Sequence, residues 1–156
     1  MNFFRLKEWW RFRRAAKGRH GVHSPFVYRL IDKGLWSPLP EEMDATLREG
    51  SDSQYAYTRG KTIFRCRRFL QEENQKNECI VLSGIAEDFE QWAAALKQGA
   101  CIIIADVHLD SRRRALWEKL RADDRVNLSI DLWYIGLLFC RNDFKEKQHF
   151  ILKPQP

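Results

Sequence analysis

Apolar positions follow two regimes along the chain. Up to about residue 75 they recur at helical spacing. Residues 2–17 predict a helix: Phe3, Leu6 and Trp10 form an apolar stripe, Trp9 and Phe12 widen it, and Arg5, Lys7, Glu8, Arg11 and Arg14 fill most of the remainder. Gly18 is its stop. Ser24 followed by Pro25 opens a second helix. The serine hydroxyl suits a cap that accepts from a free N–H of the first turn, and proline suits the first helical position. With Phe26, Val27, Leu30 and Ile31 as its buried face, this helix runs to about Lys33 and stops at Gly34. A short helix is predicted after Pro40, where Glu41, Glu42 and Asp44 favour the positive end. Gly50-Ser-Asp-Ser53 reads as a loop. Thr62 to about Glu73 reads as a basic helix with Ile63, Phe64, Phe69 and Leu70 inward.

From residue 78 short apolar runs alternate with amphipathic stretches. Glu78–Ser83 is a strand ending at Gly84, and Glu87–Lys97 is a helix with Phe89, Trp92, Ala93 and Leu96 on one face. Gly99 caps that helix. Ala100–Ala105 is apolar on both faces, which predicts the central strand of a covered sheet. Asp110–Leu120 is a helix capped by Asp110 or Ser111. Val126–Leu132 and Ile135–Cys140 each read as alternating strands and are close enough for an antiparallel hairpin, and Gln148–Lys153 is a last strand. This order predicts an α/β fold of about four to five strands, mostly parallel with an antiparallel C-terminal hairpin, preceded by N-terminal helices.

Composition narrows the class. A chain of 156 residues with 44% hydrophobic and 31% charged residues is about one domain. Within it, a helical, basic region over 1–75 precedes an α/β core over 76–156. No apolar run reaches about 18 residues, so no transmembrane helix is predicted, and the basic, aromatic start lacks the pattern of a secretory signal. Cys66, Cys79, Cys101 and Cys140 form no C-x-x-C pair. They read as reduced and buried, which suits a cytoplasmic compartment and no metal site. Charge is unevenly spread. Residues 1–34 hold nine Lys/Arg against two Asp/Glu, a surplus of seven, while the whole chain carries +6. The excess therefore sits in the N-terminal segment, where it predicts either a basic surface for phosphate, an anionic membrane or an acidic partner, or a plain solvated helix face.

Three stretches carry a family resemblance. They are His20-Gly-Val-His-Ser-Pro-Phe26; Ile103-Ile-Ala-Asp-Val-His-Leu-Asp110 with Trp117-Glu-Lys-Leu120; and Ser129-Ile-Asp-Leu132 with Gly136-Leu-Leu-Phe139, closing on Lys147-Gln-His-Phe150. Together they resemble class I SAM-dependent methyltransferases of the O-methyltransferase-like kind, over residues 19–31 and about 79–153. The resemblance implies a partial Rossmann-like sheet, because the family's glycine-rich turn and ribose-binding acidic strand have little sequence here to build them. Residues 79–83 stand in for the family's first or its fourth strand; the Gly84 context favours the fourth. Ser83 and Gly84 are the only cofactor-binding candidates, and SAM is implied only if the site is completed by other means. Where the family tends to have paired aspartates, this chain has Ala105-Asp106. The resemblance leaves Asp106 and His108 as candidate catalytic residues, with Asp106 orienting His108 as a general base. The competing reading makes both of them remnants that cap the next helix.

Beyond the resemblance, Ser24 is explained as a helix cap and His23 as a local loop bond, and with His20 they make no convincing site. Lys7, Arg11, Arg13, Arg14, Lys17 and Arg19 interleave with Trp9, Trp10 and Phe12. That composition suits nucleic acid, an anionic membrane, or simple docking of the aromatics onto the domain. If residues 79–83 now end the sheet, their open edge needs a cover from residues 35–75 or a homodimer. The expectation is a degenerate methyltransferase-like protein acting in binding or self-association. Its rivals are an active methyltransferase completed across a dimer and a peripheral nucleic-acid or membrane binder.

Overall fold

The computed structural model describes residues 2–73, 78–83 and 89–155. Helix α1 (Phe3–Ala15) is opened by Asn2, whose side chain accepts from the Arg5 amide at 2.9 Å. Helix α2 (Pro25–Arg29) is capped by Ser24, which accepts from the Val27 amide at 3.3 Å. The chain does not stop at Gly34. It continues as a π-helical turn over Leu30–Leu35. Gly34 is closely packed there: a Cβ would stand 3.1 Å from Phe69 Cβ, tighter than ordinary van der Waals contact.

Helix α3 (Glu41–Glu49) carries its acids in the first turn. Helix α4 (Gln54–Glu73) begins eight residues earlier than the apolar pattern of Thr62–Glu73 predicts. Ser53 accepts from the Ala56 amide at 3.1 Å, and Tyr57 in the first turns is buried, so a cap and one aromatic anchor extend the helix through a polar stretch.

Five strands follow: β1 (Cys79–Leu82), β2 (Cys101–Ala105), β3 (Leu128–Asp131), β4 (Ile135–Phe139) and β5 (Gln148–Ile151). Between them lie α5 (Phe89–Lys97), followed by Gly99 at φ 96°, and α6 (Ser111–Ala122), capped by Asp110, which accepts from the Arg113 amide at 2.9 Å. The sheet order is β1-β2-β4-β3-β5. β1 and β2 are parallel, β4 is antiparallel to both β2 and β3, and β5 is parallel to β3. Four strands thus share one direction, and β4 runs against them. β2 is internal, but β4 holds the centre of the sheet. The strand over 126–132 does not show the half-buried alternation its sequence suggests, because all of β3 is buried.

Helices cover both faces of the sheet. On one, Phe26, Leu30, Leu35 and Phe69 pack with Ile103, Ile130 and Leu137. On the other, Leu96, Trp117 and Leu120 pack with Ile102, Ile104 and Leu138. Alternate β2 residues feed opposite layers, which is why Cys101–Ala105 has no polar face. The first cluster joins the N-terminal helices to the sheet in one core. Cys66 and Cys101 are buried, whereas Cys79 and Cys140 are only half-buried, because β1 lies at an edge and Cys140 lies just past the end of β4. All four are free thiols.

The two sheet edges differ. Lys17, just after α1, bridges to Leu152: its amide donates to the Ile151 carbonyl at 2.8 Å, and its carbonyl accepts from the Lys153 amide at 3.1 Å. The β5 side is therefore partly closed. On the other side, no described residue pairs with the outer edge of β1, and residues 35–73 of the segment 35–75 offered as its cover are mainly helical.

Candidate functional site

β2 and β3 run in the same direction and end side by side around β4. In open α/β sheets, the space beyond such strand ends is where ligands bind. Asp106 and Val107-His108 lie just past β2, Asp131 closes β3, and Trp133 lies in the short turn to β4. α1 and the first turns of α4 lie over these ends.

Asp106 and His108 do not form a pair with each other. Asp106 has a left-handed backbone, φ 62°, and its carboxylate takes both its oxygens to Arg59 Nη1 of α4, at 2.7 and 3.0 Å. Its amide donates to the Tyr134 carbonyl at 2.8 Å. Tyr55 packs on Tyr134, with ring centroids 5.1 Å apart, and under the Arg5 guanidinium at 4.9 Å. Burial, with Asp106 alongside, pushes the Tyr55 phenol well above its ordinary range.

The partner of His108 is Asp131. His108 Nε2 donates to the Asp131 carboxylate, 2.8 Å from Oδ2 and 3.0 Å from Oδ1. Asp131 Oδ1 also accepts from the Trp133 amide at 3.0 Å, which holds Trp133 at φ 69°. The Trp133 ring stacks on His108 with centroids 4.6 Å apart and planes 18° apart, while Phe12 of α1 meets the same imidazole edge-on at 5.8 Å. Glu8 of α1 enters from above, its Oε2 3.6 Å from His108 Nδ1, which has no hydrogen-bond partner. Arg114 of α6 lies between the carboxylates, with Nε 3.2 Å from Glu8 Oε2 and Nη1 3.7 Å from Asp131 Oδ2, and also pairs with Glu118. Glu8, His108 and Asp131 are 4%, 3% and 1% exposed.

An imidazole oriented by a carboxylate is the geometry of a general base. Here the ring is sealed by Phe12 and Trp133, so the pair serves to join α1, the β2–α6 loop, α6 and the end of β3. Sequence reading missed Glu8, Arg59, Arg114, Asp131 and Trp133. Two signals pointed to them: Glu8 is the one acid in a basic helix, and Asp131 is an acid inside a buried strand.

Ser83 is exposed just past β1, and Gly84 lies outside the described residues. Among the described residues, no group of three or more His, Cys, Asp or Glu is placed to hold a metal ion, and no helix is long and apolar enough to cross a membrane. The outer surface of α1 carries Lys7, Arg11, Arg13 and Arg14, all exposed, with Lys17 exposed just beyond it. Arg19 is half-buried, ion-paired with Asp32 at 2.5 Å and near the Tyr28 and Trp36 rings. Trp9 and Phe12 dock inward against Trp133, but Phe3, Leu6 and Trp10 face outward. The apolar stripe read from periodicity therefore divides between two faces. His20 and His23 are exposed and join no cluster at the strand ends.

No family model, curated protein or solved structure matches this chain.

Proposed function

We propose that this chain is a shortened, methyltransferase-like α/β protein that acts by binding and self-association, with no methyl transfer of its own. The observation that carries this reading is the filling of the strand-end crevice by the protein's own helices. Glu8, Trp9 and Phe12 of α1 and Arg59 of α4 occupy the place where a ligand would meet the ends of β2 and β3. Asp106 is engaged by Arg59, and His108 is buried under Phe12 and Trp133. Neither reaches a reacting group without displacement of a helix. The parallel β1–α5–β2 unit and the reversed strand β4 support descent from a Rossmann-like sheet, alongside the sequence resemblance. For self-association, the support is the β1 edge, where Val81 is 41% exposed and the outer hydrogen-bonding groups meet no described strand.

Titration with S-adenosylhomocysteine tests the reading. A ligand at 100 times its Kd stabilises by about 2.7 kcal/mol, a readily measured rise in melting temperature. The expected result is no rise at millimolar ligand. A rise that grows with protein concentration would overturn it in favour of a SAM-dependent enzyme completed across a dimer at β1.

A further inference from the structure

The outward face of α1 is apolar and cationic at once. Phe3, Leu6 and Trp10 are 83%, 42% and 64% exposed. Their spacing of three and four residues sets them in one line along a helix of 13 residues, about 20 Å long. Lys7, Arg11 and Arg14 run beside that line, and all three are exposed. The only acid of α1, Glu8, is buried against Arg114 and His108, and its Oε1 also accepts from the Arg11 guanidinium at 2.9 Å. The outward face therefore presents hydrocarbon flanked by the exposed cations Lys7 and Arg14, with Arg11 paired to Glu8 along its inner margin.

Resting on the reading that this is a binding protein, we propose that its partner is an anionic lipid surface, on which α1 lies flat with Phe3, Leu6 and Trp10 in the headgroup–acyl boundary. Complementarity decides the occupant. An in-plane interfacial helix needs an apolar strip for the boundary and flanking Lys/Arg for the lipid phosphates, with aromatic rings at headgroup level. A single-stranded nucleic acid needs a groove that tracks its backbone and a ring for each stacked base. The open depression on this face is lined by α1 residues alone, Phe3, Leu6, Lys7, Trp10, Arg11 and Arg14 among them, so it is only one helix long, and Leu6 offers no ring. A second copy of the same face would set Lys7, Arg11 and Arg14 against their like.

Co-sedimentation of the full chain with phosphatidylcholine vesicles, plain or carrying roughly a third phosphatidylserine, tests this, since each Lys or Arg near such a surface contributes about fivefold in affinity. Expected are binding to the phosphatidylserine vesicles alone, its loss in Phe3→Ser/Trp10→Ser, and a roughly fivefold weakening for each of Lys7→Gln and Arg14→Gln. All these side chains are exposed, so unchanged melting temperatures certify the fold of each variant. Brominated acyl chains should quench the full chain more than Trp10→Phe. No binding to the anionic vesicles, equal binding to neutral ones, or binding that survives Phe3→Ser/Trp10→Ser would each overturn the lipid surface. So would capture of a single-stranded oligonucleotide through Trp10 in place of vesicles, although that result would leave the binding-protein reading intact. That reading fails separately, by a melting shift with S-adenosylhomocysteine.

Discussion

His108 donates to Asp131 across 2.8 Å, joining the loop after β2 to the last residue of β3 in a place that solvent does not reach. Removing one partner of such a pair leaves the other charged or polar group buried and uncompensated. Asp131→Ala is therefore expected to cost about 1–3 kcal/mol for the buried donors left unpaired, read as a lower urea midpoint with the fold otherwise retained. Glu8→Gln, which keeps shape and hydrogen bonding, should cost far less. A loss near zero for Asp131→Ala would mean that the cluster contributes nothing to holding α1 on the sheet.

Gly136 of β4 lies directly under the Trp117 ring. A Cβ at this position would stand 2.5 Å from Trp117 Cη2, and Trp117 is fully buried. Gly136→Ala should destabilise by about 1–3 kcal/mol or more through overpacking. Combining it with Trp117→Phe should recover part of that loss, because the smaller ring vacates the contact. Thermal melts of the two single variants and the pair give the answer, and strict additivity would place the strain elsewhere.

Burial, reinforced by Arg121, pushes His149 from its ordinary 6.5 down to about 4, while its Nδ1 lies 2.8 Å from the Ser129 hydroxyl. Between these two values the unfolded chain takes up a proton that the folded ring refuses. Stability from this site is thus complete above pH 6.5 and drains away as the pH falls towards 4. The loss should be roughly 1–3 kcal/mol. Urea midpoints measured across that window should slope less for His149→Gln than for the parent. Parallel slopes would assign the dependence to another group.

Arg59 and Asp106 tie α4 to the end of β2 through two contacts of 2.7 and 3.0 Å. The Arg59 side chain is 34% exposed, so water screens the pair in part. A double-mutant cycle with Arg59→Met and Asp106→Asn should return a coupling of about 1 kcal/mol. A coupling of zero would show that the pair orients the loop without stabilising the fold.

The elements most legible in the sequence were those whose residues state their own surroundings. The run Cys101–Ala105 is apolar on both faces because two helical layers cover it, and 126–132 and 135–140 are close enough for the antiparallel hairpin they form. α4 was read short because its first turns are polar, and their helicity depends on a Ser53 cap and on burial of Tyr57. The site was less legible. Asp106 and His108 look like partners in sequence, but the left-handed turn at Asp106 sends them to different cations and anions. Local periodicity likewise placed Phe3, Leu6 and Trp10 in one stripe with Trp9 and Phe12 and left open whether that stripe docks on the domain or faces a partner. The face that docks is chosen in part by Glu8, which pairs locally with Arg11 but also with His108 and Arg114, about a hundred residues away and invisible to the local pattern.

Helix α1 is fastened at two points. Glu8 is held in the polar cluster, and Lys17 just beyond the helix is stitched to β5 by two backbone hydrogen bonds. The helix therefore cannot roll about its axis as a lone amphipathic peptide does. Whatever takes hold of Phe3 and Trp10 acquires the entire sheet in a single attitude, with the open β1 edge carried at a set angle. The proposed attachment through this helix would thus set orientation as well as adhesion, and under the proposed self-association it would align copies before their β1 edges met.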